Sequence, residues 1–182
     1  LFYLAKIYET RGASQKSFEL LNKILKTYPQ SQYVPYAGLA LGDTYLKSGD
    51  IAKAVESYQA ASRTDDPLEV TLEARFRLGE INFEKKDYAK AAEYFSALAS
   101  EETDKSLGDL KDRGIQNLFY CDFYGKNLDT FTAHAGRYQP WLASSVLEPE
   151  IRYLWADLKA ENKDYAGALA ELEKVLLSSK TD

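Results

Sequence analysis

Leu41-Gly42-Asp43-Thr44-Tyr45-Leu46-Lys47-Ser48-Gly49-Asp50-Ile51-Ala52-Lys53-Ala54 turns one helix back upon another, and that turn decides the architecture. Ahead of it, Tyr36, Ala37, Ala40, Leu41, Thr44 and Tyr45 recur at three- and four-residue spacing, which places them on one helical stripe. Lys47-Ser48-Gly49-Asp50 breaks the pattern. Gly49 is free to take the left-handed conformation that closes a helix, and the Asp50 carboxylate is placed to cap the next one. Helical spacing then resumes at Ala54, Val55, Tyr58 and Ala61 and is expected to close near Asp66-Pro67, where proline cannot continue a helix. The stretch therefore reads as a tight hairpin of a helix A and a helix B.

The hairpin recurs. Gly49-Asp50-Ile51, Lys86-Asp87-Tyr88, Lys126-Asn127-Leu128 and Lys163-Asp164-Tyr165 are each followed three residues later by Ala54, Ala91, Phe131 and Ala168, at periods of 37, 40 and 37 residues. The same offset carries Tyr45 back to Tyr8 and Gly49 to Gly12, which makes five copies. Self-similarity at this period marks a helical array in which each unit buries its apolar face only by stacking on the next. The fold class expected is an all-α solenoid of five helix-turn-helix units, about ten helices. It forms a single domain with repeats at 1–31, 32–67, 68–103, 104–143 and 144–182. With no Met and a start at Leu1-Phe2-Tyr3-Leu4, the chain is taken as a segment of a longer polypeptide.

Small residues recur where the two helices must approach: Ala5, Gly42, Gly79 and Ala156 in helix A, and Ala54, Ala91 and Ala168 in helix B. Leu21, Tyr58, Phe95 and Leu172 stand as the large fillers opposite them. This is the register of interdigitated helices, which a larger side chain at a small position would overpack. The fourth copy departs from it. Phe119 stands at a small position, Asp122 replaces an aromatic, Phe131 replaces Ala, and extra residues enter near Glu101-Glu102-Thr103-Asp104, so this unit must pack differently.

Composition excludes several functions. A net charge of −5 with scattered Lys and Arg gives no field for nucleic acid. A single cysteine, Cys121, precludes an internal disulfide and reads as a small buried hydrophobe. No run approaches the roughly 18 apolar residues of a membrane span, so no membrane insertion by this segment is expected. His134 is the only histidine and reads as a surface or capping residue. One His and one Cys assemble no usual metal set. Glu101, Glu102 and Asp104 read as a solvated loop, and Trp141 and Trp155 as core or inter-repeat wedges. There is no phosphate loop, no nucleophile beside a base, and no cofactor or metal to expect. The chain is expected not to be an enzyme.

The residues Leu41-Gly42-Asp43-Thr44-Tyr45, then Ala54, Tyr58, Ala61 and Pro67, with Leu78-Gly79, Ala91 and Phe95 in the next unit, resemble the tetratricopeptide repeat, and the likeness extends over the whole chain. The phrase Tyr28-Pro29-Gln30-Ser31-Gln32-Tyr33 leading into Leu41 is also similar to repeats of bacterial cell-envelope proteins, which inclines the expected location to the periplasm or envelope. The family likeness implies a right-handed superhelix whose inner wall is made by the A helices. Aligned positions then give partner-binding candidates: Tyr36, Leu39, Asp43 and Lys47 in the second unit, Phe76, Glu80, Phe83 and Glu84 in the third, Tyr120 and Tyr124 in the fourth, and Tyr153 and Asp157 in the fifth.

Such an aromatic wall with acidic interruptions suits a protein or peptide segment with apolar anchors and some positive charge. The carboxylate clamp of some family members is missing, because its asparagine places hold Lys6 and Ala40 and its second-unit places hold Leu39 and Asp43. The function expected is a non-catalytic protein-protein interaction scaffold in the assembly of a larger complex. The alternatives are a homo-oligomerisation module, built on the apolar start at Phe2, Tyr3 and Leu4, and an accessory domain of an enzyme whose catalytic part lies outside the segment.

Overall fold

The computed structural model describes residues 1–63, 67–100 and 107–178. The described residues form eleven helices and no strand: α1 (Phe2–Thr10), α2 (Ser14–Thr27), α3 (Val34–Lys47), α4 (Ile51–Ala61), α5 (Leu68–Glu84), α6 (Tyr88–Ser100), α7 (Gly108–Tyr124), α8 (Leu128–Arg137), α9 (Gln139–Ser144), α10 (Glu148–Glu161) and α11 (Tyr165–Ser178). They build an all-α solenoid of antiparallel pairs, with α1, α3, α5, α7 and α10 as the A helices and α2, α4, α6, α8 and α11 as the B helices. The helix beyond the ten expected is the short α9. α4 also stops at Ala61, earlier than the Asp66-Pro67 boundary read from the proline, with Ser62 as its C-cap. Asp66 and the Glu101-Glu102-Thr103-Asp104 run lie outside the described residues.

The recurring turn is one device used four times. Asp50, Asp87, Asn127 and Asp164 each accept a hydrogen bond from the backbone N–H three residues on, at 3.2, 3.2, 3.2 and 2.9 Å. This satisfies a donor that the first turn of a helix otherwise leaves orphaned. The residue before the cap reverses the chain with positive φ: +80° at Gly49, but 62° at Lys86, 56° at Lys126 and 66° at Lys163. A side chain in this region costs roughly 1–2 kcal/mol, and glycine gives back part of that relief by loosening the unfolded chain. Lys86→Gly is therefore expected to stabilise the fold by about 0.5–1 kcal/mol and raise the thermal midpoint by about 2 °C. A melting curve checks it.

The small-against-large register holds in the middle units. A Cβ on Gly42 would run into the Tyr58 ring, and one on Gly79 would lie 2.6 Å from Phe95, both rings being fully buried. In the fifth unit the register shifts. Leu172, read as a filler, is 36% exposed, while its neighbour Glu171 is buried.

The fourth unit opens, as its substitutions required. Phe119 and Phe131, at 5.0 Å, fill the space that Gly and Ala leave for one ring elsewhere, so α8 meets α7 only lightly. α7 instead packs on α6 about as extensively as α5 does, at Gly114, where a Cβ would come within 2.9 Å of Leu98. Trp141 and Trp155 close the flanks, stacked on Phe119 and Phe131 at 6.3 and 6.0 Å. Asp122 is buried and accepts hydrogen bonds from Thr130 and, in the paired arrangement, His134, both at 2.6 Å, so a polar pin joins α7 to α8. His134 thus ties two helices together from a half-buried position and is not a free surface group. Cys121, which precedes Asp122 in the chain, is buried, and burial, then Asp122, pushes its thiol up to about 12.

Candidate interaction groove

Consecutive A helices touch: α3 meets α5, α5 meets α7 and α7 meets α10, whereas no two B helices meet comparably among the described residues. The layer whose members approach across units is the inner side of a curved stack, so the A helices form the concave wall.

Two hollows adjoin along the first turns of these helices. The larger, about 470 Å³, is bounded by Tyr36 and Leu39 of α3, Glu69, Val70 and Glu73 of α5, and Leu107, Asp109, Leu110 and Arg113 at the start of α7. The second, about 350 Å³, shares Asp109 and Arg113 and continues over Asp112 and Gln116 to Trp141 and residues 144–147. Val70, Leu107 and Leu110 are buried and form an apolar floor, while Glu69 and Asp109 are exposed at the rim. Helical periodicity exposes one acidic residue of each such turn and buries its apolar neighbour.

Arg113 separates the hollows. Its guanidinium lies over the Phe76 ring at 3.9 Å and 3.8 Å from Glu73. Arg77, one turn deeper on α5, is held by Glu73 at 3.0 Å and Glu80 at 2.9 Å, and lies 3.9 Å from Asp43. Asp43 accepts the Tyr58 hydroxyl at 2.7 Å. Burial and then that hydrogen bond raise the Tyr58 phenol above its ordinary value. The wall is thus braced by ion pairs that cross from unit to unit.

The sequence-derived candidates fall into several groups on this wall. Tyr36 and Leu39 border the larger hollow. Phe76 is buried, its face covered by Arg113, so it supports the wall from behind rather than lining it. Asp43 and Glu80 belong to the bracing network just described. Phe83 and Tyr124 lie together at the far ends of α5 and α7, 5.6 Å apart, and both contact Tyr88 of α6. Tyr120 donates to Glu150 at 2.8 Å and accepts from Gln116 at 2.9 Å, and burial raises its phenol. Lys47 borders a separate hollow with Glu9 and Thr44. Glu84, Tyr153 and Asp157 are exposed.

Glu69, Val70, Leu107, Asp109, Leu110 and Arg113 were not among the candidates, although they border the larger of these two hollows. They precede the matched positions of their helices. An apolar-acidic alternation at the start of α5 and α7 was the only available signal.

Among the described residues no group of three or more His, Cys, Asp and Glu side chains could hold a metal, and no helix is long and apolar enough to cross a membrane.

A search of curated proteins gave no match. A structure solved in the functional characterisation of Pseudomonas aeruginosa PilF aligns over 93% of this chain and 71% of its own, with a TM-score of 0.53 at 20% identity, a likeness of fold alone. Sequence profiles described as tetratricopeptide repeat match residues 39–106 and 1–31, together more than half of the sequence. With the capped hairpins, the small-against-large pairs and the inner wall of A helices, this chain belongs to the tetratricopeptide repeat family.

Proposed function

We propose that the chain is a non-catalytic scaffold that captures a peptide or protein segment along the concave wall of its A helices, in the assembly of a larger complex. The observation that carries this reading is the continuous open trough of two hollows sharing Asp109 and Arg113. Its floor is apolar and its walls offer tyrosine and tryptophan, which supply broad contact at low entropic cost. Membership of a repeat family of protein-binding scaffolds supports it in general terms.

Site-directed photo-crosslinking tests it. A benzophenone amino acid at Leu39, in the trough, is expected to capture a partner from the native extract that the same group at Glu93, exposed on α6, does not capture. Equal capture at both positions would remove the concave wall from the account.

Self-association is the competing reading, because α1 exposes Leu4 and Ile7 while α11 exposes Leu169 and Leu176. The same experiment separates the two. A product of twice the chain's mass, formed from Leu169 and not from Leu39, would favour self-association.

A further inference from the structure

Resting on the concave-wall reading, we propose that the hollow between α3, α5 and α7 takes an extended polypeptide segment bearing lysine or arginine. Its cation is received by Glu69 and Asp109, while a neighbouring apolar side chain seats on Leu39, Val70 and Leu110.

Charge complementarity selects this occupant. Glu69, Glu73 and Asp109 line the hollow, and among the described residues that line it Arg113 is the only cation. Arg113 is already committed, with one face on Phe76 and its edge toward Glu73. Glu73 is itself satisfied by Arg77 at 3.0 Å. Glu69 and Asp109 have no ion pair or side-chain hydrogen bond among the described residues, so two carboxylates stand at the rim of an apolar floor with their charge uncompensated.

An acidic segment entering this hollow would set like charges together, which costs affinity and slows encounter. A neutral apolar segment would partly desolvate both carboxylates without replacing the lost water. A lysine or arginine resolves both problems, because its stem lies on the apolar floor while its head meets the rim. The trough continues past Asp109 to Asp112 and Trp141, which fits an extended chain better than a closed small-molecule site.

The test uses a random dodecapeptide display library selected against the purified chain, with recovered peptides titrated by fluorescence anisotropy. Sequences enriched in Lys and Arg are expected, and the double variant Glu69→Lys with Asp109→Lys should weaken them by about tenfold or more. The control double variant Glu93→Lys with Glu173→Lys makes the same change in net charge on exposed B-helix positions and should leave affinity within about twofold. Circular dichroism should show both variants folded, since all four positions are exposed.

Peptides rich in Asp or Glu, or neutral ones, or basic peptides equally weakened by both double variants, would overturn the proposal. Such peptides would leave the concave-wall reading standing if Tyr36→Ala with Leu110→Ala abolished their binding, and would overturn that reading too if it did not. Recovery of no binding peptide would count against both.

Discussion

Phe95→Ala is expected to lower stability by about 3–5 kcal/mol, the range for emptying a fully buried aromatic site. Phe95 sits at the centre of the third unit with no exposed surface, its ring 5.5 Å from Phe76 and against the bare Cα of Gly79. Its loss removes the ring that seats on Gly79 between α5 and α6, and also the support beneath the Phe76–Arg113 stack. A second substitution makes the expectation sharper. In the native background, Gly79→Ala places a methyl group 2.6 Å from the Phe95 ring and should destabilise by about 1–3 kcal/mol.

In the Phe95→Ala background that clash is gone. Alanine is then favoured over glycine within a helix by about 1 kcal/mol, so the effect of the same substitution should change sign. Urea denaturation of the two single variants and the double variant measures this. If Gly79→Ala destabilised both backgrounds equally, the interlocking of ring and glycine would not be what holds the unit.

Glu171→Ala is expected to cost about 3 kcal/mol, because it strips the shared anion from three cations. The Glu171 carboxylate is buried and accepts hydrogen bonds from Arg152 at 2.8 Å and from Lys159 and Lys174 at 3.1 Å. Lys174 can turn to water, but the Arg152 and Lys159 side chains are only 14% exposed and cannot. Arg152 keeps Glu148 at 2.6 Å and Lys159 keeps the Trp155 ring at 4.1 Å, which holds the loss near the lower end of the range for a broken buried pair.

The acid dependence follows from the same contacts. Burial alone would raise the Glu171 pKa, but the hydrogen bonds from Lys174 and Lys159 outweigh it and hold the group below its ordinary value. A carboxylate with a depressed folded pKa contributes stability that is present above the unfolded value, about 4.3, and lost as pH falls through the folded one. The native chain should therefore lose more stability between about pH 5 and pH 3 than Glu171→Gln loses over the same interval. Denaturation midpoints across that interval give the comparison, and parallel curves would contradict it.

Much of this molecule was legible in local sequence. The hairpin turns were readable because capping and chain reversal are local events, decided by Asp50, Asp87, Asn127 and Asp164 and the residue before each. The pairs Gly42 with Tyr58 and Gly79 with Phe95 were readable because a repeat turns a long-range contact into a fixed offset along the chain. The opening of the fourth unit was foreseeable from Phe119 and Phe131, but its form was not. Which neighbour α7 would choose depended on Gly114 meeting Leu98 across a unit boundary.

The groove shows the same division. Tyr36 and Leu39 were found by alignment to the repeat, while Phe76 proved to be buried beneath Arg113 and the rim carboxylates Glu69 and Asp109 went unrecognised. Their significance arises only when α5 and α7 come side by side. The buried clusters of Asp122 with His134 and of Glu171 with its three cations are of this kind too, since desolvation and partnership are properties of packed neighbours. Sequence by itself determined the ten paired helices, their capped turns and the fact of serial stacking, because each rests on interactions within one unit or at one constant spacing. Only the tertiary structure decided the trough and its acidic rim, because burial and electrostatic pairing depend on which side chains meet across separate helices.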